Sequence, residues 1–137
     1  NIADIRSSCG DRAVLRAMHF YGDNARVEKQ AAALKAGDFE TFKKYIIESG
    51  RSSYMYNQNV YSCKKASEQP VSLALSLSEK LLDGCGAWRV HGGGFAGTIQ
   101  AFVPLNKLDE YKDLMEKVFG SGSCYILSVR PVGGVEL

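Results

Sequence analysis

The sequence is poor in the residues that build metal centres and disulfide frameworks. It holds two histidines and four cysteines among 137 residues. The cysteines are Cys9, Cys63, Cys85 and Cys124, and no two of them share the close spacing of a zinc site or a redox-active pair. We therefore expect reduced, partly buried thiols in a cytoplasmic protein, without a disulfide and without a metal site.

The sequence also has little excess of either charge and no long apolar run. The 17 basic and 15 acidic residues leave a net charge of +2, and the two signs alternate along the chain, so neither nucleic acid nor an anionic membrane is an expected partner. The longest apolar-dominated run, Val71 to Leu77, is broken by serines and is too short to span a bilayer. No signal peptide is recognised. Because the chain opens on Asn1 and not on methionine, we expect the natural N-terminus to lie upstream.

What remains is the composition of an ordinary globule. The apolar share is 45% and the charged share 23%. A chain of this length forms one domain, residues 1–137, and buries enough surface to fold without a metal or a disulfide.

Spacing of apolar residues predicts four helices. The first begins after Asp11 as N-cap and ends at Gly37. Its apolar residues recur at steps of three and four in two successive series, which are Val14, Met18, Tyr21 and Ala25, and then Val27, Ala31 and Leu34. The second is capped by Asp38, runs to about Ser52 and buries Phe39, Phe42 and Ile46. The third starts at Pro70 with the stripe Val71, Ala74, Leu77 and Leu81, and the fourth is capped by Asn106, ends at Gly120 and buries Leu108, Tyr111, Met115 and Val118.

The segment Tyr54 to Tyr61 has no clear period and is predicted to be an ordered loop. Its tyrosines and asparagines either face a ligand or pack under a connection.

Two predicted strands enclose a glycine-rich loop. Trp88 and Val90 lead into Gly92, Gly93 and Gly94, and a second β-prone run leaves them and ends at Pro104. Glycine loses more backbone entropy on folding than other residues, so three in a row need a reason. The loop either presents bare N–H groups to a phosphate or another anion, or serves as a hairpin turn or bulge.

A last strand is predicted at Cys124 to Val129, followed by a tail with Gly133-Gly134 that ends in a short edge strand. The order helix, helix, helix, strand, glycine loop, strand, helix, strand predicts an α+β fold with helices on a small antiparallel sheet.

The residues do not form a recognisable catalytic set. No carboxylate pair is placed for acid and base work, and no lysine follows a Walker-type glycine loop. His19 is expected to be a packed or half-exposed helix residue. His91, at the lip of the glycine loop, either contacts a bound anion or caps the turn.

The glycine stretch resembles the third signature motif of the sugar and metabolite kinases that include galactokinase, mevalonate kinase and homoserine kinase. In galactokinases it usually runs Gly-x-Arg-Met-Thr-Gly-Gly-Gly-Phe-Gly-Gly, and the phenylalanine points to the galactokinase branch. Here the matching residues are Arg89, Gly92, Gly93, Gly94, Phe95 and Gly97. His91 replaces the usual threonine and Ala96 the usual glycine. Segments upstream (16–19, 31–39 and 48–52) and the tail are similar to the galactokinase C-terminal region.

The resemblance implies a ferredoxin-like C-terminal domain of a kinase that transfers the γ-phosphoryl group of ATP to a sugar hydroxyl, with Mg²⁺. It implies that the catalytic base, the phosphate loop and most sugar-binding residues lie in an N-terminal domain, and that this chain is inactive alone. The loop, with Arg89, His91, Gly92, Gly93, Gly94, Phe95 and Gly97, would close on the cleft that binds ATP and galactose or a related sugar. Partners would be the N-terminal domain and, in an isolated fragment, a second copy. A non-catalytic ferredoxin-like module that binds a small ligand or a protein is the alternative.

Overall fold

The computed structural model describes residues 1–95 and 97–129. Its helices are α1 (Ile2–Cys9), α2 (Asp11–Lys35), α3 (Phe39–Ser52), α4 (Pro70–Leu82) and α5 (Leu108–Phe119), with a π-helical turn at Ser53–Asn57 and a 3₁₀ turn at Leu105–Lys107. Its strands are β1 (Ala87–Val90) and β2 (Ile99–Phe102), which pair antiparallel. The predicted α+β class, with a small antiparallel sheet covered by helices, is confirmed.

The hairpin lies between two layers of helices because neighbouring residues of a strand point to opposite faces. Trp88 and Val90 join a hydrophobic cluster with residues of α4 and α5, whereas Ala87 joins a second cluster with residues of α2 and α3. The register pairs Trp88 with Ala101 and Ala87 with Phe102, so β2 continues the same division. Both faces of the hairpin are therefore covered.

The predicted second helix is confirmed, including its cap. The Asp38 carboxylate accepts a hydrogen bond from the Thr41 backbone N–H at 3.0 Å, and this bond lowers the pKa of Asp38. Phe42 and Ile46 are buried as predicted, but Phe39 at the start of the helix is exposed.

After Val71, the buried residues of α4 each lie one position later in the sequence than the predicted ones. Its buried residues are Val71, Leu75, Ser78 and Leu82, while Ala74, Leu77 and Leu81 are only half-buried. Ser78 is buried at little cost because its hydroxyl donates to the Ala74 carbonyl and bonds the Tyr111 hydroxyl, each at 2.8 Å. Burial raises the pKa of Tyr111.

The start and the buried face of the predicted first helix need correction. Gly10, not Asp11, is the N-cap of α2, and a separate helix, α1, precedes it with Asn1 as its cap. Most of the predicted stripe on α2 is exposed, since Met18, Tyr21, Val27 and Leu34 each keep about half or more of their surface, and Ala33 is the buried residue of this helix. α1 has no buried residue at all.

Three further predictions are wrong or fall outside the described residues. Lys107, not Asn106, is the N-cap of α5, because a 3₁₀ turn comes first. Residues 124–129 form no strand ladder, and Tyr125, Leu127 and Val129 are exposed. Ala96 and the predicted edge strand in 130–137 lie outside the described part of the chain. Within that part, no helix has the length and apolar character needed to cross a membrane.

Candidate functional site

The glycine loop connects the two strands and continues their ladder by one residue. The backbone N–H of His91 donates to the Thr98 carbonyl at 3.0 Å. Beyond that bond the chain turns, and the Gly97 N–H donates to the Gly94 carbonyl at 3.0 Å. Two backbone hydrogen bonds therefore hold the loop, one at its junction with the strands and one within the turn.

Three of the loop glycines have backbone angles that other residues rarely adopt. φ is +61° at Gly92, +84° at Gly94 and +85° at Gly97. Gly93 is different, because its φ is not positive and a Cβ added there would meet no atom within 4 Å. The backbone angles of the turn therefore explain why glycine is needed at three positions. At Gly93, neither the backbone angle nor a contact with the described residues requires glycine.

The loop rests on Asn59, which sequence reasoning did not single out. The Asn59 side-chain Nδ2 donates to the Gly93 carbonyl at 3.1 Å. Asn59 is 4% exposed, and Gly94 lies so close to it that a Cβ would come within 2.7 Å of Nδ2 and closer still to the Asn59 carbonyl oxygen. Of the two interpretations of Tyr54 to Tyr61, packing under a connection therefore holds at Asn59. The predicted loop is wrong for the first four residues of this segment, 54–57, because Ser53–Asn57 is a π-helical turn.

Arg89 belongs to the base of the loop and not to its tip. It lies on β1 opposite Gln100, and its Nε donates to the Val90 carbonyl at 3.1 Å. Its Cα and Cβ pack against Gly50 of α3, where an added Cβ would approach to 3.0–3.1 Å. Arg89 as a whole is half-buried.

Two side chains that the loop exposes are those of His91 and Phe95. Phe95 keeps 61% of its surface, and His91 is exposed directly after β1. The structure thus brings His91, Gly92, Gly93, Gly94, Phe95 and Gly97 together in one loop, with Arg89 one step below it.

Polar side chains join α2 to α3, the helix that packs against β1. His19 of α2 bonds the buried Ser52 hydroxyl through Nδ1 at 3.0 Å, and Asp23 accepts from Ser49 at 2.7 Å. Burial lowers the pKa of His19; Arg26 and Arg89 act in the same direction, and Asp23 opposes them. His19 is half-buried, which agrees with the prediction of a packed or half-exposed helix residue.

The described loop contains backbone hydrogen-bonding groups that could bind a ligand. The hydrogen bonds that hold the loop come from backbone groups and the Asn59 amide, and no carboxylate or lysine takes part in those described. The N–H groups of Gly92 and Gly93 donate to no described residue, and both residues are exposed. Two open grooves, of about 460 and 910 Å³, lie elsewhere on the described surface and include no loop residue. Within the loop, Gly94 is buried, whereas His91, Gly92, Gly93, Phe95 and Gly97 are exposed.

Fold and site together define a small α+β domain that presents a glycine loop between its two strands. The chain is similar to human galactokinase, with 28% identity over 122 residues. This match covers 89% of the chain but 29% of the human protein. It supports a galactokinase-like relationship, and by its name the relative is a kinase. No protein-family profile matches the chain, and no solved structure matches it.

Proposed function

We propose that residues 1–137 are the single C-terminal domain of an ATP-dependent sugar kinase, most closely of the galactokinase type. The longer protein would transfer a phosphoryl group from ATP to the 1-hydroxyl of galactose, and this chain would be inactive alone. The observation that carries the proposal is the loop with the kinase-like motif, whose Gly92 and Gly93 N–H groups are exposed and make no described hydrogen bond. The similarity to human galactokinase, which extends over most of the chain, supports it.

Such a loop suits phosphoryl transfer, in which catalysis depends chiefly on positioning and charge stabilisation. The residues present fit the phosphates of ATP, because bare N–H donors and the His91 imidazole favour an anion. They do not fit Mg²⁺, since this cation prefers carboxylate oxygens and none takes part in the described bonds of the loop. The cation and the catalytic base would therefore be bound by the N-terminal domain, and the loop would bind and orient.

The N-terminal kinase domain would be the main protein partner. Large apolar side chains are exposed along α1 and α2, among them Ile2, Ile5, Met18, Phe20 and Tyr21. An exposed apolar surface of this kind is suited to an interdomain contact. In the isolated chain the same surface would favour self-association. The even charge balance argues against nucleic acid or membrane partners, and we place the protein in the cytoplasm.

The test is ATP consumption by the longer protein with Mg²⁺ and a panel of sugars, using Gly93→Val as the variant. A Cβ at Gly93 meets no atom of the described residues within 4 Å, so the variant is expected to unfold at a urea concentration no lower than that of the wild type. Its turnover should fall strongly, because the side chain would stand where the backbone must approach the phosphates. Turnover on galactose would support the kinase.

Wild-type turnover in Gly93→Val would rule out the role of the loop. A folded protein without turnover on any sugar would overturn the kinase and favour the alternative, a ferredoxin-like module that binds a small ligand or a protein without catalysis.

A further inference from the structure

Asn59 supports the glycine loop from a distant part of the chain. Its Nδ2 reaches the Gly93 carbonyl across a separation of 34 residues. The approach is so close that position 94 admits only glycine, because an added Cβ would overlap Asn59. Loop and support are therefore matched in shape as well as in hydrogen bonding.

The backbone before Asn59 adopts uncommon conformations to place it there. The π-helical turn Ser53–Asn57 ends at Gln58, which has φ +54° and ψ +43°. Gln58 is the one residue other than glycine with positive φ in ranges 1–95 and 97–129. π-helical turns and residues held at positive φ are found frequently at functional sites.

The Asn59 side chain also carries a cost that packing alone would not require. Its Oδ1 is buried, and no described donor bonds it. An unpaired buried acceptor is unfavourable, and an apolar side chain of similar size would avoid the penalty. The amide is therefore best explained by the bond that its other end makes to Gly93.

That bond fixes the direction of a peptide group. In a trans peptide the C=O and the following N–H point in opposite directions. Because the Gly93 carbonyl points to Asn59, the N–H of Gly94 points away from it, and this N–H donates to no described residue. Gly94 itself is buried, whereas Gly92 and Gly93 are exposed. We propose that Asn59 is a positioning residue: by holding the Gly93–Gly94 peptide group, it keeps the exposed N–H groups of Gly92 and Gly93 directed outward, as donors for the phosphate of a bound ligand. Its contribution to turnover rests on the proposed kinase function, whereas its effect on the loop does not.

The experiment uses Asn59→Asp in the 137-residue chain, followed by ¹H–¹⁵N NMR of the loop glycines between pH 4.5 and 8. An ionised carboxylate cannot donate to the Gly93 carbonyl, but the protonated acid can. We expect the Gly94 amide signal to leave its wild-type position at high pH and to return towards it at low pH. Protection of the Gly97 amide against exchange should fall about tenfold at high pH, as for the loss of one ordinary hydrogen bond.

Asn106→Asp is the matched control, because it makes the same chemical change at an exposed residue outside the loop. It should leave the loop signals at their wild-type positions at every pH. The three proteins are identical except at residues 59 and 106, so a pH effect that they share cannot produce a difference between them. Wild-type loop signals throughout in Asn59→Asp, or an equal change in Asn106→Asp, would overturn the proposal.

Asn59→Ser covers the case in which the charged variant does not fold. It removes the amide without adding charge, and it should displace the Gly94 signal at all pH values. An undisplaced signal in this variant would also overturn the proposal. In the longer protein, Asn59→Ser should lower kcat with little change in the sugar KM. If the wild type shows no kinase activity, the proposed function fails, while the NMR result still decides whether Asn59 orients the loop.

Discussion

Gly94 and Gly93 are adjacent in the loop, yet a methyl group should have opposite consequences at the two positions. At Gly94 the φ of +84° is unfavourable for alanine by about 1–2 kcal/mol. The added Cβ would also overlap the backbone oxygen of Asn59, and overpacking of this kind costs roughly 1–3 kcal/mol. We therefore expect Gly94→Ala to lower the free energy of unfolding by about 3 kcal/mol.

Gly93→Ala is the control, since its Cβ meets no atom within 4 Å and its φ is not positive. A glycine replaced by alanine at a compatible position gains about 0.4–1 kcal/mol through the unfolded state. Unfolding in urea can be followed by the fluorescence of Trp88, which is the only tryptophan and is buried at the base of the loop. With an m value of about 1.5 kcal/mol/M, the midpoint of Gly94→Ala should fall by about 2 M. Equal midpoints for the two variants would refute the contact between Gly94 and Asn59.

Two further outcomes are expected from the helix layers. Burial lowers the pKa of His19 below its ordinary value of 6.5, so the unfolded chain binds its proton more readily; stability should be complete above pH 6.5 and decline below it. His19→Gln, which can still bond Ser52, should weaken this decline in urea midpoints measured from pH 7.5 to 5.5, and an unchanged slope would contradict the assignment. Leu82→Ala, at a fully buried side chain, should cost roughly 2–5 kcal/mol in the same assay. Leu105→Ala, at a residue 88% exposed, should cost almost nothing, and similar losses in both would argue against the described core.

The strongly periodic elements are the part of the fold that the sequence predicts well. Phe42 and Ile46 with the Asp38 cap define α3, and the runs around Trp88 and Ile99 define the hairpin, because local pattern and tertiary burial agree there. The buried face of α4 differs from the predicted one because Ser78 belongs to it. Two hydrogen bonds allow this serine to be buried, and a search for apolar residues does not find it.

Other features depend on contacts that local pattern cannot express. The apolar stripe of α2 is a sound helix signal, but helical spacing does not reveal whether another element covers it, and Met18 and Tyr21 are exposed. The β-prone residues 124–129 have no strand partner in the described chain. Asn59 was missed because its importance comes from a contact across 34 residues. The only available signal was the cluster of amides and tyrosines before it.

Strand β1 is shared by the two hydrophobic clusters, because Ala87 and Trp88 are consecutive residues and each belongs to a different one. A rearrangement that frees either helix layer must therefore remove one side chain of this strand from its cluster. A disturbance of either layer therefore acts on the strand that both layers share. The conformation of the glycine loop, which begins where β1 ends, is in this way tied to the stability of the whole domain.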